Sequence, residues 1–395
     1  MKLKELTIKN FRGIKHLELN LSSSNGTPLD LAVLAGPNGC GKTSILEACA
    51  ILLGRNDLLP ERDERELHEV FEGAKGYELL GEFEHNGKVL NAIKTSANGE
   101  TAAQHKAFAQ RYSKVPVEYF PSWRAPKLVG SVSVSVSGAS RNGDKRMENN
   151  LANLKQTLVN LTASQAFETS AAAPEVSEEL RHLLEKLNAA WELFFPHTGE
   201  RFQADSAPHA LGRKYDLFLK GRGTALIPID SLSSGEIEIV SLIGRIARKN
   251  VKDGIVLIDE PELHLHPAWH SVIIGAMRQV TKGSQLIVAT QSPQVLGGIN
   301  AESVQLLKKK NNEICAERPF SSYGLDANRV LEELMDAPER IPDIKKQIEQ
   351  VFHLIGEGKL KESKVKVAEL RRKMPEEPEL TRAEAMISRK EILGK

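Results

Sequence analysis

Gly36-Pro37-Asn38-Gly39-Cys40-Gly41-Lys42-Thr43-Ser44 fits the pattern G-x-x-x-x-G-K-[S/T]. It follows Leu31-Ala32-Val33-Leu34, a continuous apolar run of the kind expected for a strand buried on both faces. It opens a helical pattern that runs from about Lys42 to Leu53. Strand, glycine-rich turn and helix together give the motif its meaning. The glycines let the backbone curl so that successive N–H groups point inward at phosphate oxygens, and the helix N-terminus adds partial positive charge. Gly36, Asn38, Gly39, Gly41 and Ser44 are therefore assigned to a phosphate loop for ATP. Lys42 is assigned to bridge the β- and γ-phosphates, and the Thr43 hydroxyl to ligate Mg²⁺. Cys40 is read as filling a variable position of this loop, because only the helix N-terminus would lower its thiol pKa toward a redox role.

A second apolar strand, Ile255-Val256-Leu257-Ile258, ends in Asp259-Glu260. The first carboxylate suits Mg²⁺, directly or through water, and the second suits orienting or deprotonating the attacking water. Leu232-Ser233-Ser234-Gly235-Glu236 opens a helix from about Gly235 to Lys249. Its Ser233 and Glu236 spacing is that of a capping box. Exposed N–H groups and a serine hydroxyl at a helix start also suit a phosphate, so a plain helix cap and a phosphate contact stay open for Ser233 and Gly235.

Around these motifs the chain alternates between strand and helix patterns. Leu6 and Ile8, then Leu17, Leu19 and Leu21, alternate with polar residues. Asn86-Gly87 predicts a hairpin turn within residues 77–95. Residues 127–146, rich in Ser-Val alternation, are predicted to be a mobile loop or an exposed strand. Leu180, Leu183, Leu184, Leu187, Trp191 and Phe194 recur at helical spacing and predict a packing face. Beyond Gln285–Ala289, another strand, the chain ends in three amphipathic helical segments broken at Pro338, Gly356-Glu357-Gly358 and Pro375, with no long heptad run. The expected organisation is an N-terminal lobe with the phosphate loop (1–126), a loop and helical insertion (127–213), a C-terminal lobe with the carboxylates (214–335) and a helical tail (336–395). The insertion explains why Lys42 and Asp259 lie further apart than in a minimal nucleotide fold.

Composition narrows the class further. The chain has 395 residues, with 53 Lys+Arg against 52 Asp+Glu, so its net charge of +1 argues neither for nor against a local nucleic-acid patch. A hydrophobic content of 41% and a charged content of 27% exclude a disordered or collagen-like chain. No apolar run reaches membrane-spanning length, and the start, MKLKELTIKNF, alternates instead of forming a signal-peptide block. Cys40, Cys49 and Cys315 form no disulfide or zinc framework, which predicts a reducing, cytoplasmic setting without membrane contact.

Further motifs carry a family resemblance over most of the chain. Leu232 to Glu236 resembles the ABC-type signature, with Ser234 in place of its usual first glycine. Ile8-Lys9-Asn10-Phe11-Arg12-Gly13 resembles the N-F-R-G start of RecF/SMC-type ATPase heads. Glu262-Leu263-His264-Leu265-His266-Pro267 and Ala289-Thr290-Gln291-Ser292-Pro293-Gln294-Val295-Leu296 resemble the E-x-H-L-H-P and T-H-S-P-x-x-L elements of the RecF and OLD branch. Tyr323-Gly324-Leu325-Asp326 and the tail are similar to the compact ATPases of Septu anti-phage systems and their retron-associated relatives.

The resemblance implies an α/β ABC-ATPase (RecF/SMC head-like) P-loop fold with a helical insertion and a helical C-terminal tail. It implies an ATP-bridged homodimer in which each site takes Lys42, Asp259 and Glu260 from one subunit and Ser233 and Gly235 from the other, with Arg12 near the nucleotide. Gln291 stands where the family has a switch histidine. Glutamine can hydrogen-bond a γ-phosphate but cannot carry a proton charge, so slow hydrolysis is expected. The sequence shows no H-N-H zinc arrangement and no Toprim-like acidic pattern after Gln291. A partner effector, an HNH-type nuclease or a retron component by family analogy, is therefore expected to supply cleavage. His264, His266 and His270 lack the remaining ligands of a closed metal site. A RecF-like DNA-binding repair ATPase is the alternative function, with DNA or RNA contact through a local cluster such as Lys308-Lys309-Lys310. A transporter subunit is disfavoured by the N-F-R-G and E-L-H-L-H-P elements.

Overall fold

The chain alternates between sheets and the helices that cover them. β1 (Lys2–Phe11) and β2 (Ile14–Asn20) form the first hairpin, and β3 (Leu31–Ala35) leads through the glycine loop into α1 (Lys42–Leu52). β4 (Glu78–His85), β5 (Lys88–Thr95), α2 (Glu100–Arg111) and β6 (Val117–Phe120) follow. Next come α3 (Asn150–Phe167), α4 (Ala173–Phe194), β7 (Arg201–His209), β8 (Gly212–Lys220) and β9 (Leu226–Pro228). The chain then returns to α5 (Ser234–Lys249), β10 (Ile255–Asp259), α6 (Pro267–Val280), β11 (Gln285–Thr290), α7 (Pro293–Leu296), β12 (Val304–Lys310), β13 (Glu313–Glu317) and α8 (Ala327–Arg329). This computed structural model describes residues 1–59, 70–96, 100–122, 150–167, 173–209, 212–221, 226–249, 251–310, 313–335 and 342–393. The Ser-Val stretch at 127–146 lies outside the described residues.

Residues Met1–Val330 form one compact unit. Its first sheet is antiparallel, in the order β2-β1-β4-β5. Asn86 (φ 51°) and Gly87 (φ 70°) both take the left-handed backbone that a two-residue hairpin turn requires. The second sheet runs β13-β12-β3-β11-β10-β6. Within it β12, β3, β11, β10 and β6 are parallel, and only β13 is antiparallel. Every residue of β3, β10 and β11 is buried, which is why they read as unbroken apolar runs. α1 lies between the two sheets, and residues from Ile45 to Leu52 are buried on all its sides. Its apolar character is therefore not confined to one stripe.

The insertion is more than helical. β7, β8 and β9 form a separate antiparallel sheet, with Arg201↔Lys220 through His209↔Gly212 in register. The sequence boundary at 213/214 falls inside this hairpin. Trp191, 2% exposed, anchors α4 here. Its ring stacks on Phe195 at 4.2 Å and meets Phe202 edge-on at 5.0 Å, while its indole N–H donates to Glu200 at 3.0 Å. A second unit, Leu331–Lys395, holds α9 (Pro342–Gly356), α10 (Leu360–Lys373) and α11 (Pro378–Leu393). Its core is Ile348, Val351, Ile355, Val367, Leu370, Leu380, Ala383 and Ile387.

Helix α2 was not foreseen from sequence. Its one buried residue is His105, whose Nε2 lies 3.1 Å from the carbonyls of both Ile51 and Leu52 at the end of α1. Carbonyls only accept, so Nε2 carries the hydrogen. Burial disfavours the imidazolium and holds the His105 pKa below its usual 6.5. The unfolded chain therefore takes up the proton first. The stability contributed by neutral His105 is complete above the ordinary histidine pKa and is lost as pH falls through it. His105→Gln keeps the donor and removes the titration. Urea midpoints between pH 7 and about pH 5 are expected to fall more steeply for the wild type than for this variant.

Candidate nucleotide site

Three parallel strands bring the sequence motifs together. β11 lies between β3 and β10, with Ala35 opposite Thr290 and Asp259 opposite Ala289. The glycine loop, the carboxylates and the Gln291 segment thus leave one edge of the sheet side by side. Ligands of open parallel sheets collect at this carboxyl end.

The glycine loop fits a phosphate group closely. At Gly36 (φ 155°) a Cβ would strike the Leu307 carbonyl oxygen and lie 3.0 Å from Cys40 Sγ. At Gly41 (φ 82°) it would lie 3.1 Å from Ile314 Cδ1 and 3.2 Å from Ile14 Cδ1. Asn38 and Gly39 form the exposed crest of the loop. Gly41 caps α1 without a side-chain acceptor, and no acidic residue sits in the first turn. The helix N–H groups and their partial positive charge therefore face the loop. Lys42, 6% exposed, folds its ammonium over the loop and donates to the Gly36 and Pro37 carbonyls at 2.8 and 3.0 Å. Burial pushes the Cys40 thiol up from its usual value, which keeps it protonated and unreactive.

Thr43 and Asp259 meet across the sheet. Thr43 Oγ1 donates to Asp259 Oδ2 at 2.7 Å, and Asp259 is 2% exposed. A hydroxyl beside a carboxylate is the oxygen donor set that Mg²⁺ takes from protein. Ser44 follows half-buried. Glu260 is half-buried at φ 47°, and its N–H donates to the Ala289 carbonyl at 2.8 Å. Arg12, also assigned to the nucleotide from sequence, is ion-paired through Nη1 to Glu47 Oε2 on α1, with its guanidinium 5.0 Å from the Phe11 ring centre.

Ser233 and Ser234 are exposed at the start of α5. The capping box is formed, since the Ser233 N–H donates to Glu236 Oε2 at 2.7 Å and the Glu236 N–H to Ser233 Oγ at 3.4 Å. Gly235 has a packing reason as well, because a Cβ there would come 2.8 Å from the Trp269 ring of α6.

Glu262 was seen in sequence only as part of an element. In the fold, Glu262 Oε1 accepts from Thr290 Oγ1 at 2.7 Å and from the Gln291 N–H at 3.1 Å. It is 7% exposed, and its Oε2 is buried with no hydrogen-bond partner. Ser292 extends the same clamp, since its N–H donates to Thr290 Oγ1 at 3.0 Å and its hydroxyl lies 3.0 Å from His270 Nδ1. Only the acidic residue two places after Glu260 signalled this in sequence. The histidines have local roles: His266 Nδ1 accepts from the Ala268 N–H, and His270 Nε2 lies 3.2 Å from the Leu265 carbonyl.

The fold is an SMC head-like ABC ATPase fold, mixed α/β with a parallel sheet. The chain superposes on the crystal structure of an SMC head bound to the C-winged helix domain of ScpA with a TM-score of 0.52, covering 80% of this chain and 97% of that one at 15% identity. Two family models match, each over less than half of the chain. The model for "AAA ATPase domain" takes residues 1–114, and that for "AAA domain, putative AbiEii toxin, Type IV TA system" takes residues 136–297. Among relatives, the "Retron Ec83 probable ATPase" of Escherichia coli is 39% identical over 125 residues, covering 29% of this chain and 22% of that protein. The Septu protein PtuA of Bacillus mycoides (strain KBAB4) is 22% identical over 379 residues, covering 90% of this chain and 47% of that protein. The matches thus span less than half the length of either relative. Among the described residues no helix is long and apolar enough to cross a membrane.

Glu262→Ala leaves the buried Thr290 hydroxyl and the Gln291 N–H without their acceptor, a loss of about 2 kcal/mol. Thermal unfolding is expected to show a Tm lower by a few degrees, with Glu262→Gln, which keeps one acceptor oxygen, close to the wild type.

Proposed function

We propose that the chain binds ATP with Mg²⁺, hydrolyses it slowly and works as a nucleotide switch that closes as a homodimer and controls a partner effector nuclease in bacterial anti-phage defence. The observation that carries the nucleotide chemistry is the Thr43–Asp259 hydrogen bond, which joins the phosphate loop to the carboxylate strand. Lys42 and the N–H groups of the loop and α1 hold the β- and γ-phosphates. Thr43 and Asp259 hold the cation, which when bound supplies charge neutralisation to the phosphates. Glu260 accepts the proton of the attacking water, and Gln291 donates to the γ-phosphate without titrating. Ser233 and Gly235, at the exposed start of α5, serve the nucleotide of the opposite subunit.

The defence role rests on the relatives named as a retron ATPase and a Septu protein. The partner is proposed to be an HNH-type nuclease or another retron component, docking on the insertion or the C-terminal helices.

Light scattering of Glu260→Gln is expected to give a doubled mass with Mg²⁺-ATP and a single mass without it. Lys42→Ala is expected to remain single in both conditions. A Glu260→Gln protein that hydrolyses ATP at the wild-type rate would remove Glu260 as the base. In steady-state assays Gln291→His is expected to raise kcat. Unchanged turnover would mean that Gln291 is not limiting.

A further inference from the structure

Two adjacent residues of the insertion helix α3 grip the signature segment from two sides. Leu154 is fully buried against α5 at Gly244, where a Cβ would strike Leu154 Cδ2. The next residue, Lys155, is 0% exposed and lies between two carboxylates, Asp230 Oδ2 at 2.5 Å and Asp216 Oδ1 at 3.0 Å. Asp230 belongs to the single turn Ile229–Ser231 that delivers the chain to Ser233. Its other oxygen, Oδ1, is buried and makes no hydrogen bond. Asp216 is on β8, 9% exposed, and its Oδ1 also accepts from the Leu217 N–H at 2.8 Å.

The physical consequence is rigidity. A desolvated ammonium is costly unless its partners stay in place, and removing one partner leaves a buried charge uncompensated. The turn at Asp230 therefore cannot move away from α3 without stranding Lys155. Nor can α5 slide along α3 while Leu154 sits over a position that only glycine leaves open. The signature serines and α3 must move together.

We infer that Lys155 is a positioning residue that fixes the signature segment to the insertion, so that a force on α3 is read at Ser233 and Gly235. The inference rests on the signature reading given above, and it assigns that site its control point. Because Lys155, Asp216 and Asp230 take no part in the hydrogen bonds of Lys42 and Thr43, loss of the triad leaves ATP capture by the glycine loop intact. What fails is presentation of the signature to the opposite subunit.

The test compares three full-length proteins: wild type, Lys155→Met, and the uncharged triple variant Lys155→Met/Asp216→Asn/Asp230→Asn. The single variant strands two carboxylates and is expected to lose thermal stability, while the triple variant regains it because no buried charge remains unpaired. With Mg²⁺-ATP the triple variant is expected to bind nucleotide as the wild type does and to show an unchanged KM. Its ATP-dependent association is expected to be about tenfold weaker, the ordinary size of a coupling between sites, with kcat falling in proportion. A triple variant that associates and turns over like the wild type, while the wild type dimerises, overturns the role of Lys155 alone. A wild type that neither dimerises nor hydrolyses ATP overturns the switch reading beneath it.

Discussion

The parallel pairing of β11 with both β3 and β10 is the constraint on which the site depends. Parallel strands need long crossovers, so residues far apart in the chain are placed edge to edge only if the core strands are filled correctly. The bond from Thr43 to Asp259 spans 216 positions of sequence, and no local structure in between could hold it. The fully buried strands set the height at which each loop leaves the sheet. They therefore set the distances among the hydroxyl of Thr43, the carboxylates of Asp259 and Glu260, and the Gln291 segment. α1, wedged between the two sheets and buried on all sides, holds the glycine loop against the same edge.

A second layer couples this edge to the rest of the Met1–Val330 unit. Glu262 ties the loop after the carboxylates to the Thr290 hydroxyl and the Gln291 N–H. Trp269, on the helix that follows that loop, receives Gly235 of the signature and packs edge-on against Phe195, the residue just after α4, at 5.4 Å. The switch segment, the carboxylate loop, the signature and the insertion are thus linked by direct contacts of packed or hydrogen-bonded side chains. Packed cores respond to strain by moving as blocks, so displacement of one of these pieces is passed to its neighbour. Helix α6 acts as the hub, with His270 holding Ser292 on one side and Trp269 holding α4 and α5 on the other.

The parts of this fold that were legible in sequence are those with a strong local signal. Leu31–Ala35, Ile255–Asp259 and Gln285–Thr290 are apolar runs because both faces are covered. The Asn86-Gly87 turn is written in backbone preference, and the phosphate loop in its glycines. The amphipathic stripe of α4 gave Leu180 through Phe194. What was missed lacks such a signal. α2 buries one residue, a histidine, so Glu100–Arg111 shows no apolar stripe. β7 (RFQADSAPH) mixes polar residues with a proline and gains its strand state from pairing with β8. Lys155 and Glu262 look like ordinary surface charges in a one-dimensional reading. Their roles arise only when Asp216, Asp230 and Thr290 arrive from elsewhere in the chain. Arg12, assigned to the nucleotide from its motif position, is ion-paired in the fold to Glu47 of α1, a partner that no local pattern announces.

The backbone of the carboxylate loop carries the last consequence. Glu260 and His264 have φ of 47° and 68°, left-handed values that cost a residue with a side chain about 1–2 kcal/mol each. They sit on either side of Glu262. The loop is nonetheless held in this form by the Glu260 N–H on Ala289, by the N–H groups of Leu263 and Leu265 on the Glu260 and Glu262 carbonyls, and by the Glu262 clamp on the switch segment. Strain persists only where surrounding contacts over-determine it. A change that draws Gln291 away from Glu262 removes one of those contacts and lets the loop relax. The strained loop therefore makes the catalytic candidate sensitive to the state of its neighbour.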